Sequence, residues 1–198
     1  MLASTEIGID RRPSIVICTY DADERSWDAV EDLSGAVWNP TGARTIAVGS
    51  DTPARLAERL SEHLRASDCR AVLLVGRTNT SDSFLIQMRA PNRALDGKGR
   101  LTVTGPAIAR TTAPVAEMVR AIKEAGLSAN ASSLEEEDAG SFLLYSILTS
   151  LPDDTDAPAV ALLRAPAGTG HDTLDKGVKA AATAIARHLS PLPRTRPN

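Results

Sequence analysis

Short runs of consecutive apolar residues recur along the chain and alternate with segments whose apolar residues repeat every three or four positions. The runs are typical of strands buried on both faces, and the repeats are typical of amphipathic helices. The pattern predicts strands at residues 14–18, 44–48, 71–75, 83–88, 127–132 and 159–163. It predicts helices starting at Ser26 and Thr52, and others at residues 114–125, 140–151 and 172–188.

Proline and glycine mark several of the predicted boundaries. Thr52-Pro53 has the cap and first-turn proline of a helix start, and Gly126 follows the helix at 114–125 as a typical C-cap. The third strand is expected to stop at Gly76. Alternating buried strands and amphipathic helices predict one three-layer α/β domain, with a mostly parallel or mixed central sheet and helices on both faces.

This domain is predicted to span residues 14–189, after a flexible lead at 1–13 and before a proline-rich tail at 190–198. Folds of this class place their sites at the carboxyl ends of the strands. Attention therefore falls on the loops at 19–25, 76–83 and 164–170.

Composition excludes several function classes. A net charge of −3 favours neither nucleic acid nor an anionic membrane as a partner, and no apolar run approaches the roughly 18 residues of a membrane span. Residues 1–12 lack the pattern of a signal peptide, so we expect a cytoplasmic protein. Cys18 and Cys69 are interpreted as small buried residues rather than a disulfide or metal ligands, and no cofactor or metal is indicated.

Segments from Ile15 to His188 resemble, in order, the motifs of the pyroglutamyl peptidase I (pyrrolidone-carboxyl peptidase) family. The resemblance implies the family's α/β fold and makes a homo-oligomer an expectation. The segments that carry it are Cys-Thr-Tyr-Asp-Ala-Asp at 18–23, Ser-Trp-Asp-Ala-Val at 26–30, Val-Gly-Arg-Thr-Asn-Thr at 75–80, Asp-Ser-Phe-Leu-Ile-Gln at 82–87, Thr-Thr-Ala-Pro-Val-Ala-Glu-Met-Val-Arg at 111–120, Ala-Gly-Ser-Phe-Leu-Leu-Tyr at 139–145 and Leu-Leu-Arg-Ala-Pro at 162–166.

By this resemblance, the nucleophilic cysteine of the family corresponds to Leu144, its histidine base to Arg164, and the carboxylate that orients the histidine to Asp82. An aliphatic side chain forms no thiolate, and a guanidinium cannot act as a general base near neutral pH. We therefore expect a pyroglutamyl-peptidase-like protein that is degenerate as a thiol peptidase and acts by binding a small ligand or a protein partner.

The candidate ligand-binding residues follow the predicted strand ends. By the resemblance, Tyr20 and Asp23 stand where two aromatic residues hold the lactam ring of the substrate. Asp82 and Arg164 are predicted to form an ion pair, either as a structural bridge or in a site where Arg164 and Arg77 offer a cationic fork to an anion. The full candidate set is Tyr20, Asp23, Arg77, Asp82, Arg164 and His171.

Two alternatives remain open from the sequence. One is an active peptidase or amidohydrolase that uses displaced residues, with Asp82 and a Cys18–His171 pair among them. The other is a scaffold whose proline-rich tail docks elsewhere. The acidic run at 134–138 is interpreted as a solvated loop whose carboxylates face a helix N-terminus.

Overall fold

A six-stranded sheet with the strand order β2-β1-β3-β8-β4-β7 forms the centre of the molecule, in a computed structural model that describes residues 10–21, 37–153 and 156–189. The elements are β1 (Ser14–Thr19), β2 (Arg44–Val48), α1 (Pro53–Arg65), β3 (Cys69–Thr78), β4 (Phe84–Gln87), β5 (Arg89–Pro91), β6 (Ile108–Arg110), α2 (Val115–Glu124), β7 (Ala129–Ser132), α3 (Ala139–Ser150), β8 (Ala159–Pro166) and α4 (His171–His188).

Neighbouring strands of the sheet pair in parallel, except that β4 runs antiparallel to β8. Helices α2 and α4 pack on one face of the sheet, and α1 and α3 pack on the other. The apolar strands are therefore covered on both faces, which is why they read as continuous hydrophobic runs. The predicted three-layer α/β domain with a mostly parallel sheet is confirmed.

The helix boundaries follow the sequence signals closely. Pro53 is the first residue of α1, and Thr52 stands at its N-cap without a capping hydrogen bond from its side chain. Gly126 follows α2 with a φ of 81°, a left-handed conformation that glycine adopts at little cost. None of the helices in the described ranges is long and apolar enough to cross a membrane.

Two features differ from the prediction. Strand β3 does not stop at Gly76 but continues to Thr78, because β8 extends alongside it and supplies pairing partners as far as Pro166. A second, two-stranded sheet of β5 and β6 was not predicted; we call residues 89–110 the arm. The helix predicted from Ser26 and the tail at 190–198 lie outside the described residues.

Candidate active-site region

The carboxyl ends of β1, β3 and β8 meet at one edge of the sheet. Tyr20 directly follows β1, and Gly76 of β3 pairs with Arg164 of β8. Parallel strands bring their carboxyl ends together in this way, and the crevice outside them is where α/β folds hold their sites. The described parts of the loops singled out in the sequence therefore meet here, with Arg77 bonded both to Asp21 and to the loop after β8.

The guanidinium of Arg164 is the central group of this region. Its side chain is 1% exposed, and it binds Asp138 in a two-pronged ion pair, with Nη1 2.6 Å from Oδ2 and Nη2 2.8 Å from Oδ1. A carboxylate oxygen of Glu136 lies 3.6 Å from Nη1. A buried cation requires such countercharges. Burial opposes the charge of Arg164, but the hydrogen bonds that it donates to Asp138, together with the charges of Asp138 and Glu136, raise the pKa of the guanidinium.

Three further polar side chains accept hydrogen bonds from Arg164: the buried Gln87 and Ser141, and the half-buried Tyr20. Gln87 accepts a hydrogen bond from Arg164 Nε at 2.8 Å and donates from Nε2 to the Ser141 hydroxyl at 2.9 Å. Ser141 also accepts from Arg164 Nη2 at 3.3 Å, and the Tyr20 hydroxyl accepts from Nη1 at 3.2 Å. We call Arg164, Asp138, Gln87, Ser141 and Tyr20 the Arg164 centre.

The sheet geometry explains why Gln87 reaches Arg164. On the antiparallel pair of β4 and β8, Leu85 is opposite Arg164 and Gln87 is opposite Leu162. Gln87 is therefore a diagonal neighbour of Arg164 on the same face, a separation that long side chains can span.

Asp138 has a second role, as the N-cap of α3. Its Oδ1 accepts a hydrogen bond from the backbone N–H of Ser141 at 3.0 Å. Burial disfavours the charged form of Asp138, but the hydrogen bonds and charge of Arg164 prevail and lower the pKa of this carboxyl. Asp138 thus joins the start of α3 to the end of β8.

The carboxylates of the acidic run pair with arginines, although part of the run stays exposed to solvent. Glu135 pairs with Arg89 at 2.9 Å, and Glu137 pairs with Arg93, so both glutamates bind the arm. Glu136 faces the Arg164 centre instead. The interpretation of the run as a solvated loop holds for Leu134 and Glu137, which are exposed, and the run ends at a helix N-terminus as expected. It did not include the ion pairs of the run with arginines.

A cavity of about 260 Å³ lies next to the Arg164 centre, between the arm and the start of α3. Asp138 and Ser141 separate it from the Arg164 guanidinium. Its lining residues are Pro91, Arg93, Ala94, Leu95, Asp96 and Gly97 of the arm, and Glu136, Glu137, Asp138, Ser141 and Phe142 on the other side. The described residues contain no group of three or more His, Cys, Asp or Glu side chains placed to hold a metal ion.

The predicted ion pair between Asp82 and Arg164 is wrong. Asp82 is exposed in the loop before β4, and within the described ranges the ion pairs of Arg164 are those with Asp138 and Glu136. The side chain of Arg164 lies on the face of the sheet that packs against α3, so the carboxylate at the start of that helix is the one it meets.

The cationic fork of Arg164 and Arg77 is also not formed. Arg77 Nη1 donates to the backbone carbonyls of the loop after β8, at 2.9 Å for Thr169 and 3.3 Å for Ala167. Its backbone N–H donates to Asp21 at 2.8 Å. Arg77 therefore braces the β8–α4 loop, while Arg164 is committed to Asp138.

The other predicted residues occupy contrasting environments. Leu144 is fully buried in the core beneath α3. His171 is the exposed first residue of α4, whereas Cys18 is fully buried on β1, where desolvation raises the pKa of the thiol to about 12. A protonated, buried thiol gives no support to a Cys18–His171 catalytic pair. Asp23 lies outside the described residues.

Sequence reasoning missed Asp138, Gln87 and Ser141 as site residues. Asp138 precedes Ser141 by three positions at the start of a helix, which is the spacing of an N-cap, and that signal was present. Gln87 ends an otherwise apolar strand, Phe-Leu-Ile-Gln, so its burial was also a usable signal, because a buried amide requires partners.

The order of strands and helices is that of an α/β protein with the pyroglutamyl peptidase fold. The crystal structure of pyroglutamyl peptidase I from Bacillus amyloliquefaciens matches with a TM-score of 0.72 and 19% identity, covering 89% of this chain and 96% of that one. Pyrrolidone carboxyl peptidase from Thermococcus litoralis matches at 0.71 and 12% identity, covering 89% and 94%. The Thermus thermophilus enzyme matches at 0.66 and 17%, covering 87% and 100%.

No protein-family model and no curated protein sequence matches the chain. The similarity therefore lies in the fold, at sequence identities of 11–19%.

Proposed function

We propose that this protein does not carry out thiol peptidase chemistry and acts instead by binding a ligand in the cavity beside the Arg164 centre. The observation that carries the proposal is the ion pair of Arg164 with Asp138. By the resemblance, Arg164 stands at the position of the catalytic base, and its raised pKa keeps it charged, with no lone pair to accept a proton.

The environment of Leu144 supports the same proposal. This residue stands, by the resemblance, at the position of the nucleophile, and its side chain is 0% exposed among Leu143, Ile147 and other core residues. Nucleophilic catalysis needs an ionisable group within reach of both a base and the substrate. An alkyl group packed in the core meets none of these requirements.

The charges around the cavity favour a cationic ligand over an anionic one. Its walls carry four carboxylates, those of Asp96, Glu136, Glu137 and Asp138, against the guanidinium of Arg93. Arg164, on the far side of Asp138, neutralises one more negative charge. The cavity walls therefore carry a net charge of about −2. Leu95, Phe142 and Pro91 add apolar surface. The cavity thus suits an ammonium or guanidinium group attached to a short apolar body.

The lack of thiol peptidase chemistry is tested with a pyroglutamyl-coupled fluorogenic amide. We expect no turnover above the uncatalysed rate, and no change after treatment with a thiol alkylator, because no thiolate is available at the site. Pyroglutamyl peptidase I from Bacillus amyloliquefaciens is the positive control for substrate and assay. Turnover that alkylation abolishes would overturn the proposal and restore the alternative of an active peptidase with displaced residues.

Binding is tested by thermal unfolding with a matched pair of probes, butylammonium and butyrate. A ligand at about ten times its Kd adds about 1.4 kcal/mol to stability, so butylammonium is expected to raise Tm by about 3–6 °C. Butyrate should leave Tm unchanged. Equal shifts with both probes, or a shift with butyrate alone, would contradict a cation site.

The variant Asp96→Asn locates this binding. Loss of one lining carboxylate is expected to weaken butylammonium binding by up to about fivefold, since Asp96 is exposed and an exposed ion pair contributes at most about 1 kcal/mol. The control, Glu62→Gln, removes the same charge from the exposed face of α1, away from the cavity, and should leave the affinity unchanged. An equal loss in both variants would point to a nonspecific effect of net charge.

A further inference from the structure

We propose that the slot between β3 and α3, which the ring of Tyr20 now fills, is a binding site for a free aromatic alcohol. When the Tyr20 ring leaves this slot, a ring of the size of phenol with a hydrogen-bond acceptor at its end takes its place. The inference concerns a different space from the cavity beside the arm. It rests on the contacts of Tyr20 and not on the proposed function.

The walls of the slot are backbone atoms of two glycines. A Cβ added to Gly76 on β3, or to Gly140 on α3, would lie closer than 3.0 Å to the Tyr20 hydroxyl oxygen. Real Cβ atoms do not approach another atom so closely, so a side chain at either position would occupy the space that the end of the Tyr20 ring now fills. The absence of both side chains creates a narrow gap of the size of one phenol group.

The closed end of the slot carries a specific recognition element. Arg164 Nη1 donates to the Tyr20 hydroxyl at 3.2 Å, and this nitrogen is held in place by Asp138. Burial raises the pKa of the Tyr20 phenol, so the group stays neutral and its oxygen serves as the acceptor. A fixed donor at the end of a ring-sized gap selects an aromatic alcohol over a plain hydrocarbon of the same shape.

The position of Tyr20 in the chain allows its ring to leave. Tyr20 follows the last residue of β1, and its backbone N–H donates to the Val75 carbonyl at 3.3 Å. The residue is half-buried, so part of it remains accessible to solvent. Rotation about the Cα–Cβ bond would vacate the slot without breaking the strand pairing. A ligand must then compete with this side chain, and its apparent affinity falls by the fraction of open molecules.

The test uses 4-methylphenol, which is the tyrosine side chain as a free molecule. In Tyr20→Ala the competitor is gone, so we expect 4-methylphenol to raise Tm and to bind about tenfold or more tightly than to the unchanged protein. Toluene should stabilise Tyr20→Ala less, because it offers no acceptor to Arg164. The double variant Tyr20→Ala/Gly140→Ala places a methyl group at the closed end and should lose the response to 4-methylphenol.

Several outcomes would overturn the proposal. They are a folded Tyr20→Ala protein that does not respond to 4-methylphenol, an equal response in the double variant, and an equal response to toluene. If Tyr20→Ala does not fold alone, refolding in 4-methylphenol should recover it. If refolding in 4-methylphenol fails, the variant Tyr20→Leu is used, because leucine retains apolar packing and vacates the end of the slot. The same comparison of 4-methylphenol with toluene is then made on Tyr20→Leu.

Discussion

Replacing Asp138 by asparagine is expected to lower the free energy of unfolding by about 3 kcal/mol. Removing one partner of a buried ion pair costs about 3–5 kcal/mol, because the other charge is left without compensation in the interior. Arg164 is 1% exposed, but the side chain of Asp138 is 34% exposed and Glu136 remains 3.6 Å from Nη1 of Arg164 as a second countercharge. Both facts place the expected loss at the lower end of this range. Asparagine is itself a good N-cap, so the change isolates the charge from the capping of α3. Urea unfolding at pH 7 measures the loss.

The control for this prediction is Glu137→Gln, which removes a charge one position away. The side chains of Glu137 and its partner Arg93 are both more than half exposed, and a pair of this kind contributes at most about 1 kcal/mol. If the two variants differ by less than about 1 kcal/mol, the pair of Asp138 and Arg164 does not stabilise the fold as argued.

The pH dependence of the same variant gives an independent check. The folded pKa of Asp138 is lowered below its unfolded value of about 3.9, so the stabilisation from this carboxylate is fully present above about pH 4. It is lost as the pH falls through the folded pKa. The stability difference between the unchanged protein and Asp138→Asn should therefore narrow below pH 4 and stay constant from pH 5 to 8. A difference that grows on acidification would contradict the assignment.

Replacing Gly140 by alanine is expected to destabilise the protein by about 1–3 kcal/mol, although alanine is the better helix former. The added Cβ would collide with the Tyr20 hydroxyl. In a Tyr20→Ala background the collision is absent, so the same change should become neutral or stabilise the fold by up to about 1 kcal/mol. The measurement is a double-mutant cycle by denaturant unfolding, and the expected result is this reversal of sign.

Gly177→Ala is the matched control for the cycle. Its added Cβ would lie 2.7 Å from the Phe84 ring, so the change also crowds a glycine in a helix against an aromatic side chain. That cost should be the same with and without Tyr20. A Gly140→Ala cost that persists after removal of Tyr20 would show that the crowding has another source.

The fold was predictable because its strands are buried on both faces. Runs such as Ser14–Cys18 and Ala71–Val75 admit few other interpretations when they alternate with amphipathic helices. The strands of the arm were not predictable in the same way, since β5 and β6 have three residues each and cannot show a period of two. They pack against α3 through Ala90 and Ala109, a long-range contact that no local sequence pattern expresses.

The location of the site was predictable from the sequence, but the carboxylate that pairs with Arg164 was not. The sequence identified Arg164 and the acidic run before α3 but joined Arg164 to Asp82, because the resemblance placed a carboxylate there. Which carboxylate meets a buried guanidinium depends on the face of the sheet to which each side chain points. Arg164 shares its face with α3, and the cap of that helix is Asp138. This information appears only when the strands are assembled.

The contacts of residues 135–138 alternate along the chain. Glu135 and Glu137 bind arginines of the arm, whereas Glu136 and Asp138 turn to Arg164. Successive side chains of this stretch therefore contact opposite neighbours, the arm on one side and Arg164 on the other, as the side chains of an extended strand do. Inserting one residue before it would send every carboxylate to the wrong side at once. The number of residues in this segment therefore matters as much as their charges. We expect an insertion of two residues before residue 135 to be tolerated far better than an insertion of one.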